Sequence, residues 1–421
     1  MTRPLRGFAE ANKVSIHLML GTLIAQIFST SSIFIIAHRL NPFIFGEYSF
    51  IIAVLNIAIP FSLFKSEVLL VNKEVTLIWK ILTYAFRRLM TASLIIIIIF
   101  TFIVLEKWEY TPQRAIITLF LIYIANLTLN FVALVIAFAL RVKNFTSIVY
   151  SGIVQNFLTL VCQIFFLEIE KSLDSLLLAF IIGRMFSILV IISYKDIRKL
   201  WHHISRVERK NSDRNDIEKA SKDLTFSALA DQLTANSPLI LVFILNDKNL
   251  LGIIALSLSL VMAQATLITS GFAMPILAKN KIGGDVDQNR LQLRRNFSLL
   301  SILVVVFCLS NLFLSDFVIG LLFESDWNQT PFYIKSFLIP TAISILVSPY
   351  LQLLISRGNT IITFKSSILS LAVVIIAGSF LLYSTSASFA AGTILYARVS
   401  GQLVIVIRHI WSEKKKSSKV Y

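Results

Sequence analysis

The sequence has 421 residues, of which 56% are hydrophobic and only 15% are charged, and its mean hydropathy is +0.79. Soluble domains contain roughly 45–50% apolar and about 25% charged residues, so this composition excludes an ordinary soluble enzyme and a disordered chain. The formal charge of +16 fits the basic cytoplasmic loops of a polytopic membrane protein better than a nucleic-acid-binding surface.

Apolar runs of about 20 residues, the length that spans a bilayer as a helix, recur along the whole chain. The first six are Val14–Ala37, Phe43–Phe64, Leu89–Leu105, Ala115–Leu140, Phe145–Leu167 and Ser175–Tyr194. Six more are Leu224–Leu245, Leu250–Ala278, Asn296–Phe323, Phe332–Ser356, Thr360–Tyr383 and Phe389–Ile410. This pattern predicts an all-α polytopic membrane protein with about twelve transmembrane helices.

A polar, basic stretch from residue 195 to 223 divides the runs into two sets of six. We therefore expect an N-terminal bundle over 1–194, a cytoplasmic linker over 195–223, a C-terminal bundle over 224–410 and a basic tail over 411–421. Equal halves of this kind are typical of transporters that arose by internal duplication.

Basic residues are concentrated on one side of the predicted membrane topology. With the N terminus placed inside, the inside segments contain 30 Lys and Arg residues and the outside loops contain five. Because positive residues accumulate on the cytoplasmic side, both termini are predicted to lie in the cytoplasm.

Two arginines fall near the middle of predicted spans, where a charged side chain costs some 2.5–3.5 kcal/mol. Arg184 and Arg398 each lie nine residues from the outer start of their run, about 14 Å along the helix. One interpretation is that both guanidinium groups line a cavity and bind an anionic group through paired hydrogen bonds. The other is structural pairing with a carboxylate or with backbone carbonyls.

Other charged residues give weaker signals. Asp231 lies seven residues into the seventh run, where a buried carboxylate would bind a proton or cation or pair with an arginine. Glu67 beside Lys65 predicts a salt bridge at the membrane interface. No phosphate-loop, zinc or serine-hydrolase motif is present, and the outside loops are short. We therefore expect no enzyme activity, cofactor or metal site.

Several short motifs occur in order along the chain. They are Gly21-Thr-Leu-Ile-Ala-Gln, Arg39-Leu-Asn-Pro-Phe-Ile-Phe-Gly46-Glu-Tyr48, Pro60, Glu67-Val-Leu-Leu-Val, Leu251-Gly252 and Gly320-Leu-Leu-Phe-Glu-Ser-Asp-Trp327. Together they resemble bacterial polysaccharide flippases, the Wzx-type translocases of O-antigen and capsule repeat units in the MATE/MOP superfamily. One departure is that Ser259 and Gln264 stand in the eighth run, where that family often carries an arginine and then a proline.

The resemblance implies two six-helix bundles around a central cavity that opens alternately to the two sides. It implies a substrate, a short oligosaccharide on undecaprenyl pyrophosphate, moved from the inner to the outer leaflet of the bacterial inner membrane. In this interpretation Arg184 and Arg398 hold the pyrophosphate, Arg39 serves at the outer mouth and Asp231 couples an ion. The partners implied are the lipid-linked oligosaccharide, a polysaccharide polymerase and chain-length machinery, and no nucleic acid.

Three alternatives remain open at this point. A MATE-like exporter of cationic drugs predicts acidic cavity residues, but Asp231 is the only deep carboxylate in the predicted spans. A membrane glycan polymerase or ligase needs a substantial outer loop, and the longest here is about Glu106–Arg114. A scaffold without transport activity is disfavoured by the arginines at the midplane.

Overall fold

The structure is a computed structural model that describes residues 3–72, 77–106, 110–195, 197, 214–279, 286–356 and 360–384, and ten residues between 393 and 407. The described residues form helices and no strands. The helices are α1 (Arg3–Arg39), α2 (Pro42–Leu63), α3 (Ser66–Asn72), α4 (Ile78–Glu106), α5 (Pro112–Arg141), α6 (Phe145–Ile169), α7 (Leu173–Ser193), α8 (Arg214–Ile244), α9 (Lys248–Lys279), α10 (Val286–Leu322), α11 (Thr330–Ser356) and α12 (Thr360–Ser384).

Ten helices among the described residues are long and apolar enough to cross a membrane, which confirms the predicted fold class. Each of the first eleven predicted runs falls within one helix to within a residue at either end. The described residues of the twelfth run, between 393 and 407, are helical. Hydropathy missed α3 because seven residues are too short to form a span, and α8 begins at Arg214, inside the predicted linker.

Polar residues start several helices by accepting a hydrogen bond from a free backbone N–H group. Asn41 accepts from the Ile44 amide at 3.1 Å before α2, and Pro42 occupies the first helical position. Asn144 accepts from Ser147 at 3.0 Å before α6. These caps fix where each span begins after a short connection.

Contacts divide the chain into two compact units: an N-terminal unit, Leu20–Leu229, and a C-terminal unit, Ala230–Tyr421 with Met1–Met19. In the N-terminal unit α7 packs against α6, α5 and α2. One end of this unit, called the Arg39 end, is where α1, α4 and α6 end and α2, α5 and α7 begin.

The opposite end of the N-terminal unit, called the Leu63 end, is built around an apolar cluster. Its buried members include Leu63, Leu70, Ile81, Tyr84 and Phe138, drawn from α2, α3, α4 and α5. Arg141, the last residue of α5, donates a 2.6 Å hydrogen bond to the Leu70 carbonyl oxygen. The short helix α3 is thereby joined to the spanning helices.

In the C-terminal unit α9 packs along α11, and α11 also packs against α10 and α12. Trp327, Tyr333 and Phe337 are buried around the turn between α10 and α11. A Cβ on Gly401 would lie 2.6 Å from the Ser370 Cα atom, so the helical residues after 393 approach the α12 backbone closely.

Candidate functional site

Arg184 lies in the middle of α7, as the hydropathy pattern predicted. It is the twelfth of 21 residues, so its Cα atom is about 16 Å from the start of the helix. Leu177 and Ile191, seven residues away on either side, share its helix face and are both fully buried. Met185 and Leu189, which face the other way, are about half exposed or more. Arg184 therefore lies on the interior face of α7.

The Arg184 guanidinium folds back over the ring of Phe180, with Cζ 4.0 Å from the ring centroid. Its Nε atom is buried and has no hydrogen-bond partner among the described residues. The two terminal nitrogens are accessible. No carboxylate of the described residues forms an ion pair with them. The structure thus places a half-buried cation, backed by an aromatic ring, with accessible donors near mid-span.

Tyr48 of α2 is a neighbour of Arg184 that hydropathy alone did not select. It lies within electrostatic range of the guanidinium, and α2 packs against α7. Helical spacing was the available signal, since Phe45, Ile51 and Leu55 place Tyr48 on a buried face of α2.

Arg39, predicted at the outer mouth, ends α1 and forms an ion pair with Glu168 near the end of α6. The two side chains are 30% and 65% exposed, so the pair lies at the surface of the Arg39 end. An accessible pair of this kind contributes about 1 kcal/mol or less to stability. The structure places Arg39 and Arg184 at different depths of the N-terminal unit.

The structure describes Asp231 but not Arg398, the other two charged residues predicted within spans. The expectation that Asp231 is buried is wrong, because its side chain is exposed on α8. Depth within a hydrophobic run fixes the height of a residue along its helix but not the side to which it points. Arg398 lies outside the described residues. The predicted salt bridge between Lys65 and Glu67 is confirmed, with an N–O distance of 3.2 Å.

A polar network joins three helices at the Arg39 end. The Tyr110 hydroxyl donates to Glu47 at 2.9 Å, and the Glu47 side chain is only 2% exposed. The Arg114 guanidinium lies 4.7 Å from the Tyr110 ring centroid and 4.0 Å from the Asp174 carboxylate, to which Thr118 donates at 2.8 Å. Burial and the neighbouring Glu47 carboxylate raise the pKa of Tyr110 above its usual range.

Side-chain amides link helices at mid-span in both units. Asn126 donates to the Ser93 hydroxyl at 2.8 Å, and Asn130 donates to the Asn126 side chain at 3.0 Å. In the C-terminal unit Gln264 and Asn311 exchange hydrogen bonds of 3.2 and 2.7 Å. Gln264, one of the two residues that stand where the resembled family often carries an arginine and then a proline, thus bonds its amide to α10.

Comparison with known proteins shows similarity at the level of structure. No protein-family model matches the sequence, and no curated protein matches it significantly. The lipid II flippase MurJ, in an inward closed conformation, superposes with a TM-score of 0.61 at 15% identity, covering 95% of this chain and 87% of that one.

Two MATE transporters are similar over nearly their whole length. DinF-BH, in complex with R6G, gives a TM-score of 0.60 at 13% identity and covers 94% of each chain. A mutant of VcmN from Vibrio cholerae gives 0.56 at 11% identity and covers 98% of this chain and 97% of that one. The chain has the fold that MurJ shares with MATE transporters of the MOP superfamily.

Proposed function

We propose that the protein is a flippase that moves undecaprenyl-pyrophosphate-linked oligosaccharide repeat units from the inner to the outer leaflet of the bacterial inner membrane. The products would supply O-antigen or capsule synthesis, with a polymerase and chain-length machinery as partners. The shared fold supports the proposal, since MurJ is a lipid II flippase. MATE neighbours exist in inward-facing and outward-facing conformations, which supports alternating access. The excess of Lys and Arg in the inside segments supports a cytoplasmic position for both termini.

The observation that carries this proposal is the half-buried Arg184 cation at mid-span. An arginine at this depth is costly unless a counter-charge or polar surroundings offset its desolvation. No carboxylate of the described residues provides that counter-charge. An anionic ligand is therefore the partner that Arg184 suits best.

A pyrophosphate group matches the chemistry of a guanidinium. The planar fork of N–H donors binds two oxygen atoms at once, which a lysine ammonium does not reproduce. In this proposal Arg184 supplies one fork, Arg398 supplies a second from the C-terminal half, and Asp231 couples an ion. Polar side chains on the spanning helices bind the glycan.

The decisive experiment assigns the lipid-linked glycan to a membrane leaflet in a strain that lacks this gene. Single repeat units trapped on the cytoplasmic leaflet are the expected result and establish a flippase. Single units trapped on the outer leaflet would instead indicate a polymerase. Unchanged surface polysaccharide would contradict the proposal and favour small-molecule export.

Complementation of the deletion strain with Arg184 variants tests whether Arg184 binds the substrate. Arg184→Ala is expected to reduce translocation by more than about tenfold, because a buried charged contact to the ligand is lost. Arg184→Lys keeps the charge without the fork and should restore only part of the activity. Arg88→Ala is the matched control, since Arg88 also stacks on aromatic rings, Phe64 and Tyr84, but at the Leu63 end. Normal polysaccharide in Arg184→Ala would remove Arg184 from the binding site.

Arg39 is proposed to guide the substrate at the outer mouth, where its ion pair with Glu168 opens on contact. The double variant R39E with E168R preserves an ion pair but moves the cation to α6. We expect this variant to lose translocation while retaining normal stability. Full translocation would make Arg39 a purely structural residue.

A small-molecule exporter is the second candidate, and a specific observation favours it. Asp231 presents an exposed carboxylate within a predicted span, which suits a cationic compound. DinF-BH, which shares the fold, was solved with R6G bound. Resistance of cells to cationic dyes that depends on Asp231 but not on Arg184 would support export over lipid flipping.

A further inference from the structure

Tyr48 carries a second accessible donor beside Arg184. Its hydroxyl forms no hydrogen bond with the described residues and is accessible. The side chain is half-buried on the interior face of α2, next to α7. The Tyr48 hydroxyl therefore has no hydrogen-bonding role within the described part of the chain.

The two donors lie at the same height in the N-terminal unit. Tyr48 is the seventh residue of α2, about 9 Å from the start of that helix at the Arg39 end. The Arg184 Cα atom is about 16 Å from the start of α7, but its guanidinium reaches back over Phe180, one helical turn nearer that end. The guanidinium is thus about 10 Å from the Arg39 end, although the Arg184 Cα atom itself is at mid-span, and the Tyr48 Cα atom is about 9 Å from that end.

The Phe180 ring restricts how Arg184 presents its donors. The Phe180 ring centroid is 4.0 Å from the Arg184 Cζ atom, so the ring covers one side of the guanidinium, whose N–H groups lie in the plane of that group. Nε is enclosed, which leaves the terminal nitrogens for a ligand. A phenol at the same depth adds one O–H donor from a neighbouring helix.

We propose that Tyr48 and Arg184 together form a phosphate-binding subsite in the N-terminal unit, with the hydroxyl and the guanidinium donating to oxygens of one phosphoryl group. This inference rests on the proposed function and specifies how the pyrophosphate is held. Donors from two helices suit a tetrahedral phosphoryl group, whose non-bridging oxygens point in different directions, better than a planar carboxylate. Tyr48 is therefore a substrate-binding residue.

The test is a binding titration of the full chain in lipid nanodiscs with farnesyl pyrophosphate as the probe and farnesol as the uncharged comparison. Tyr48→Phe is expected to weaken farnesyl pyrophosphate binding at least about tenfold, the lower limit for losing a hydrogen bond to a charged group. Arg184→Lys is expected to weaken it at least as much. Binding of farnesol should be the same in all variants.

The matched control is Tyr123→Phe, because the Tyr123 hydroxyl contacts only the Met90 sulphur among the described residues, at 4.0 Å. This variant should bind farnesyl pyrophosphate like the wild type. In the combined Y48F and R184K variant the two losses should be less than multiplicative, since both residues bind the same group. Size-exclusion profiles confirm that each variant is folded.

Wild-type affinity in Tyr48→Phe, or equal losses for farnesol and farnesyl pyrophosphate, would overturn the subsite. Assigning the lipid-linked glycan to a leaflet in the gene-deletion strain does not involve Tyr48, so it tests the proposed function separately. Trapped cytoplasmic units with unaltered Tyr48→Phe binding would leave a flippase without this subsite. Selective loss of farnesyl pyrophosphate binding without trapped units would leave the subsite in a protein of another function.

Discussion

Gly183 of α7 lies so close to Gln155 of α6 that an added Cβ atom would be 2.7 Å from the Gln155 carbonyl oxygen. The Thr159 hydroxyl of the same helix would be closer still. Since a backbone oxygen cannot rotate away, the two helices reach this separation only because residue 183 has no side chain. Arg184 is the next residue, so its direction depends on this contact.

Gly183→Ala is expected to lower the free energy of unfolding by about 1–3 kcal/mol, the usual effect of overpacking. The measurement is the thermal unfolding midpoint in detergent. Gly152→Ala on α6 is the matched control, because no atom lies within 4 Å of its added Cβ. Equal unfolding midpoints for the two variants would show that α6 and α7 can move apart to accommodate the methyl group without a loss of stability.

Tyr110→Phe removes the hydroxyl that donates to the buried Glu47 carboxylate. Losing a hydrogen bond to a charged acceptor is expected to destabilise the protein by about 1.5–3 kcal/mol. Chemical unfolding at neutral pH measures the difference. Tyr396→Phe, which removes the hydroxyl of an exposed tyrosine, should behave like the wild type. A neutral effect at position 110 would mean that water replaces the hydroxyl.

The same tyrosine predicts a dependence on pH. Burial and Glu47 raise the pKa of Tyr110 in the folded state above its ordinary value of 10.0. A raised pKa contributes stability that is fully present below pH 10 and is lost as the pH rises towards the folded-state value. Wild-type protein should therefore lose stability above pH 10 more steeply than Tyr110→Phe. Parallel curves would contradict the assignment.

Gln264 and Asn311 are expected to be energetically coupled. Each single alanine variant breaks the same pair of hydrogen bonds, so the double variant should lose less stability than the sum of the two. Hydrogen bonds between membrane helices average about 0.6 kcal/mol, with a maximum near 1.7 kcal/mol, which sets the range of the coupling energy. Gln264 and Asn236 form the control pair, because Asn236 donates within its own helix and should not couple.

Hydropathy predicted the spans well because a bilayer admits only long apolar helices whose backbone groups are satisfied internally. It also gave the depth of Arg184, since depth follows from counting residues along a span. It did not give Glu168 as the partner of Arg39, because the two lie 129 residues apart and no local pattern links α1 to α6. Pairing across a bundle depends on which helices become neighbours.

The side to which a residue points was less predictable than its depth. Asp231 was expected to be buried, and it is exposed. Spans that are apolar all round carry little periodic signal, so their interior face is visible only once packing is known. Tyr48 illustrates the same limit, since its motif could be quoted from the sequence while its neighbour on α7 could not.

The two ends of the N-terminal unit differ in their predominant interactions. The Arg39 end carries ion pairs and polar hydrogen bonds such as Arg39–Glu168 and Tyr110–Glu47. The Leu63 end is built around buried apolar side chains, with the Lys65–Glu67 pair and the Arg141 hydrogen bond beside them. Added salt weakens accessible ion pairs, and cooling weakens apolar burial. Ionic strength and temperature therefore act as separate controls on the stiffness of opposite ends of the same spanning helices.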